Sequence, residues 1–156
     1  MDAYEIPSGT KYTQIQFMDD ARGISDRPPG NPVVTVILHF DAHHNSNPSP
    51  PFQSPVYALF DTGAERCHAT PDFISFTGLP QLGTAVVRGG TSTQDGTHHR
   101  GHILFPEAKV QIEVDVISAP LRNSLAAEHM LVGMDVISMG RLVMDFKRHI
   151  YRLYWA

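Results

Sequence analysis

The apolar run Val56, Tyr57, Ala58, Leu59, Phe60 stops directly on Asp61, Thr62 and Gly63. A short continuous apolar run bounded by turn residues reads as a buried strand. A carboxylate is rarely buried unless paired or hydrogen-bonded, because an isolated ionised group is costly in an apolar setting. The order strand, aspartate, Thr-Gly turn is therefore hard to explain as a device for stability. It describes a strand that carries a carboxylate to the rim of a core and turns there.

The remaining segments fit strands as well. Residues 33–40 are compact, β-branched and flanked by turn residues, the clearest strand in the chain. Residues 110–117 alternate strictly between apolar and polar, so one face is buried and the other exposed. Residues 84–88 and 102–105 are further strands around a polar, glycine-rich tip containing Gly89, Gly90, Thr91, Ser92 and Gly96. Residues 142–146 and 150–155 form two more, joined near Lys147 and Arg148, and residues 12–17 alternate weakly, as an edge strand does. The aromatic alternation at the C-terminal end suits pairing with the same chain or with a partner.

Two short helices are expected. Thr70 is a good N-cap, Pro71 suits the first helical position and Gly78 is a stop, which predicts one helix or helical turn. Residues 134–139 predict another, ended by Gly140. Residues 19–31, 45–55 and 120–128 read as loops, the second holding four prolines. With no long helix and no repeat, the fold class is all-β.

Size and composition set the outer limits. A chain of 156 residues suits one domain, residues 1–156, in which residues 1–31 form an N-terminal extension of uncertain structure. The formal charge is −4 without a Lys/Arg run, which argues against a nucleic-acid surface. No apolar stretch approaches the roughly 20 residues of a membrane helix. The acidic start, Met1, Asp2, Ala3, Tyr4, Glu5, lacks the features of a signal peptide, and a lone Cys67 excludes an internal disulfide framework. A cytoplasmic setting is the expectation.

Asp61-Thr62-Gly63-Ala64 after an apolar strand, Leu131-Val132-Gly133 some seventy residues later, and a Phe73-Ile74-Ser75 stretch followed by Gly78-Leu79 together resemble the retropepsin-like aspartic proteases. The resemblance covers roughly residues 33–146. It implies a single-domain acid-protease barrel with one or two short helices, and a flap hairpin around Gly89, Gly90, Thr91, Ser92 and Gly96 that closes over peptide. It also implies a homodimer, because the chain carries its catalytic triplet once and hydrolysis needs two carboxyls. Asp61 of each copy would form the pair. Thr62 would bond across the axis to the partner's turn, Gly63 would let the backbone pass close to substrate, and Leu131, Val132 and Gly133 would pack beneath the turn. Ala64 offers no hydroxyl donor to the carboxylate, so a less acidic working range is expected than in a serine-bearing relative. No cofactor or metal is implied; the partners are a second copy and a peptide or protein substrate. One departure stands out. Where family members often carry an arginine after the later glycine, this chain has Met134 and then Asp135, with Glu65 and Arg66 after Ala64. The usual ion pair is missing or rewired.

Nine histidines raise the question of a metal, through His39, His43 and His44 and through His98, His99 and His102. A zinc site needs three or four ligands on rigid elements. These clusters fall in segments read as loop and hairpin tip, so solvated loop histidines are expected. Cys67 is expected to be a small buried residue and not a redox switch. A second functional reading stays open: a non-hydrolytic dimerisation or peptide-binding module that keeps the fold.

Overall fold

A computed structural model describes residues 5–41, 54–89, 92–119 and 129–155. Among these residues the molecule is all-β with two short helices. Strand β4 (Asn31–His39) is the longest apolar element, and six of its nine residues are buried, on both faces, from Val33 and Val34 to His39. Burial on both faces is why this segment reads as a continuous β-branched run and not as an alternation.

The strand pairings close into a ring. β4 runs antiparallel to β5 (Val56–Phe60), which lies parallel to β10 (Met130–Val132). β10 is antiparallel to β6 (His68–Ala69), and β6 is parallel to β9 (Val110–Ser118). β9 is antiparallel to β8 (Ser92–Phe105), and β8 returns to β4. Inside the ring sit Val34, Val36, Leu38, Phe60, Ile103 and Val116, all nearly or fully inaccessible. Closure leaves none of the six ring strands as a lone edge along its paired length.

A second sheet covers this core. β12 (Ile150–Trp155) lies between β1 (Tyr12–Gln14) and β11 (Gly140–Asp145), and it sends Tyr151, Leu153 and Trp155 inward. The C-terminal aromatic alternation is therefore satisfied within the same chain. The weak alternation at residues 12–17 resolves into two strands in different sheets: β1, and β2 (Gln16–Met18), which pairs with β4 and with β3 (Ile24–Ser25). Buried Ile15 is the junction, and its amide donates to the Tyr151 carbonyl at 2.9 Å. The N-terminal segment is thus part of both sheets.

Helix α1 (Pro71–Thr77) has the predicted ends: the Thr70 hydroxyl accepts from the Phe73 amide, and Gly78 adopts a left-handed φ of 68°. Helix α2 (Met134–Ile137) is shorter than predicted, and Gly140 begins β11. No helix among the described residues is long and apolar enough to cross a membrane. The expected loops at 45–55 and 120–128 lie wholly or largely outside the described residues.

Two loop expectations are overturned. Residues 19–31 contain β3, paired with β2, and the first residue of β4. The polar stretch after Ser92 is not a loop: β8 runs unbroken for 14 residues, paired with β7 (Gln81–Gly89) along one side and with β9 from Thr97 onward along the other. Gly96 lies within this strand, opposite Ala85, and Gly89 pairs with Ser92. Gly90 and Thr91 lie outside the described residues.

Candidate active site

β5 and β10 are parallel neighbours, so their C-terminal ends emerge side by side, with Leu59 opposite Leu131 and Phe60 opposite Val132. The pairing runs one step further, because the Asp61 amide donates to the Val132 carbonyl at 3.0 Å. The chain then turns. The Asp61 carboxylate accepts from the Gly63 amide at 2.9 Å, and the Ala64 amide donates to the Asp61 carbonyl. This local ring is the turn that Asp followed by Gly favours. It sets the carboxylate at the rim, half-buried, with Thr62 and Gly63 exposed beside it.

From Ala64 the chain wraps across the start of α2. The Met134 amide donates to the Ala64 carbonyl at 2.7 Å and the Asp135 amide to the Glu65 carbonyl at 3.1 Å. Gly133 lies where the two segments cross, and a Cβ there would stand 2.5 Å from the Arg66 carbonyl oxygen. No side chain fits in that gap. The two stretches singled out in the sequence, Asp61 to Ala64 and Leu131 to Gly133, are therefore in direct contact.

The residues after the turn form a polar layer that the sequence did not disclose. Asp135 accepts from the Cys67 amide at 3.2 Å and from its thiol at 3.3 Å. Burial first, and then the neighbouring Asp135 carboxylate, push the Cys67 thiol far up. The sulfur therefore remains a neutral donor, and Cys67 is the buried residue expected. His68 follows on β6, and its pKa is lowered because burial outweighs the attraction of Asp135 and Asp61. Arg66 reaches Asp115 of β9 at 3.7 Å, an exposed pair that is weak by itself. Asp115 also accepts from His98 Nδ1 at 3.0 Å, linking the loop after the turn to the root of the β7–β8 hairpin. The position that would hold an arginine in the resembled family is Met134, whose side chain is partly exposed.

The hairpin is a separate ribbon. Beyond Ser118, the last residue of β9 to pair with β8, residues 85–89 and 92–96 pair only with each other. Gly96 sits at that departure point, where a Cβ would be 2.5 Å from the Ser118 carbonyl oxygen. Its glycine serves close packing and not the tip.

Three histidines of the two clusters are not solvated loop residues, while His43 and His44 lie outside the described residues. His99 and His102 are buried on β8 and His39 at the end of β4. His99 lies between the Thr97 hydroxyl and the Leu79 carbonyl, His102 Nδ1 accepts from the Asp41 amide, and His39 Nε2 donates to Gln111. Apart from Thr97, two residues away on the same strand, these partners are 20 or more residues distant, and the sequence carried no sign of them. Among the described residues no group of three His, Cys, Asp or Glu side chains is placed to hold a metal ion. No protein-family model matches the chain, and no curated protein matches it in sequence.

Proposed function

We propose that the chain is an aspartic endopeptidase of the retropepsin-like kind, active as a homodimer in which the two Asp61 carboxyls meet. The observation that carries this reading is the Asp61 turn itself. A carboxylate stands at the end of a core strand, oriented by the Gly63 amide, braced by the parallel strand β10 and open to solvent. One carboxyl of this kind is half of what peptide hydrolysis needs. Two at hydrogen-bond distance share one proton, because like charges so close cannot both ionise, and the apparent pKa values belong to the pair.

The shared proton defines the chemistry. The ionised carboxylate takes a proton from a water as its oxygen attacks the peptide carbonyl carbon, and the protonated carboxyl hydrogen-bonds and then protonates the carbonyl oxygen. The resulting gem-diol collapses as the first carboxyl, now protonated, gives its proton to the leaving nitrogen while the second, now ionised, takes one back from a diol hydroxyl; the C–N bond breaks and the pair returns to its starting state. A twofold axis supplies the second carboxyl without a second motif, since an isologous interface brings the same residue from both copies together. In this reading Thr62 bonds across the axis, and the projecting β7–β8 ribbon is the flap that holds an extended peptide through main-chain hydrogen bonds.

The test is digestion of a peptide library by wild type and by Asp61→Asn. Asparagine preserves the shape of the turn but cannot act as a base, so cleavage should fall by at least about a thousandfold. Peptide binding without cleavage by either protein would instead establish a non-hydrolytic module. Equal cleavage by both would remove Asp61 from the reaction.

A further inference from the structure

We infer that Asp135 is a positioning residue for the Asp61 turn, acting through Cys67. Its kinetic consequence rests on the aspartic-protease reading above, whereas its structural consequence does not.

The seven residues from Asp61 to Cys67 leave β5 and re-enter the ring at β6. The entry is fixed by the bond from the Asp61 amide to Val132, and the middle by the two amides of α2 that reach Ala64 and Glu65. The exit is held by a backbone bond from the Ile117 amide to the Cys67 carbonyl at 3.0 Å and, in addition, by a side chain. The Cys67 amide and thiol both donate to the carboxylate of Asp135, which also receives the Val136 amide at 3.0 Å. One side chain thus gathers three donors, two from the end of the turn and one from the helix that braces it. Bonds from amides to a carboxylate are stronger than those between neutral groups. Cys67 is fully inaccessible and Asp135 is half-buried, and the thiol remains a donor because it remains protonated.

The geometry explains why this grip matters for Asp61 in particular. The Asp61 carboxylate takes its direction from the Gly63 amide, and Gly63 sits in the part of the excursion that no strand pairs. Tilting of residues 62–66 would swing that amide and the carboxylate with it. A catalytic group tolerates displacement of only about 0.5 Å. Beside these backbone bonds, the side-chain grip on the end of the turn comes from Asp135.

The variants are Asp135→Ala, Asp135→Asn, Cys67→Ala and Cys67→Ser, each read by amide hydrogen exchange and by kcat and KM on a peptide that wild type cleaves. Exchange at Gly63, Ala64 and Cys67 should speed up by about tenfold or more in Asp135→Ala, while β4 and β9 amides exchange as in wild type. On the cleaved peptide, kcat should fall by about tenfold with KM within about threefold, and Cys67→Ser should retain more activity than Cys67→Ala. If Asp135→Ala does not fold, Asp135→Asn carries the same test, since its amide nitrogen cannot accept. Turn amides that exchange at the wild-type rate, or faster exchange spread evenly over the molecule, would overturn the inference. A wild type that cleaves nothing but shows the local loosening removes the protease reading and keeps the positioning role. An Asp135→Ala that cleaves at wild-type kcat does the reverse.

Discussion

At the scale of single residues, the surroundings of the Asp61 turn make stability depend on pH from both sides. His68 has an ordinary pKa of 6.5 in the unfolded chain and a lower one in the fold, chiefly because burial disfavours its cation. As pH falls through 6.5 the unfolded chain takes up a proton that the folded chain refuses, so stability drops on the acid side. Cys67 acts in the opposite direction. Its thiol is raised from 9.0, so the unfolded chain loses a proton above about pH 9 that the folded chain keeps, and stability drops on the alkaline side. Urea midpoints at pH 5.5, 7.5 and 9.5 would check this. His68→Gln should lose less stability than wild type between pH 7.5 and 5.5, and Cys67→Ala less between 7.5 and 9.5. Parallel curves for wild type and His68→Gln would show that burial of this imidazole is not felt in folding.

At the scale of elements, what was legible in the sequence was what neighbouring residues decide among themselves. The cap, proline and left-handed glycine of α1 act within eight residues, and the alternation of β9 needs only its own two faces. β8 was misread for the opposite reason. Its glycines and histidines look like loop residues, yet Gly101 packs where a Cβ would lie 2.9 Å from a Leu79 methyl, and His98 bonds to Asp115 on the neighbouring strand. The split of residues 12–17 between two sheets was equally hidden, because it depends on β12 at the far end of the chain. Trp155 Nε1 donates to the Thr13 hydroxyl at 2.9 Å in a buried setting, which pins β1 to β12 across 142 residues of sequence. Trp155→Phe should cost about 1–3 kcal/mol by leaving that hydroxyl unpaired. Adding Thr13→Val should then cost little, because the bond is already gone and the polar group with it. Full additivity in chemical denaturation would mean that the bond does not couple the two strands.

At the scale of the whole molecule, the fold itself constrains how two copies can meet. β12 has a strand on each side, so a partner cannot add to it without displacing β1 or β11. The Asp61 turn, by contrast, stands at the rim with Thr62 and Gly63 exposed, and Met134 beside it is a partly exposed apolar side chain bonded through its amide to Ala64. In the proposed dimer, a twofold axis through this rim would bring the two carboxyls together. The arithmetic of such a pair gives a sharp expectation. When wild type and Asp61→Asn are mixed in equal amounts and allowed to exchange subunits, about one quarter of the dimers carry two aspartates. Peptidase activity should therefore fall to about half of that given by the same wild-type protein without the variant, and further as the variant is added in excess. Activity per wild-type chain should also rise with total concentration until dimers saturate. An independently active monomer would show neither effect: adding Asp61→Asn would leave its rate unchanged, and dilution would leave its specific activity constant. That result would force the second proton-handling group to be sought within one chain, where Asp135 and Asp115 are already committed to Cys67, His98 and Arg66.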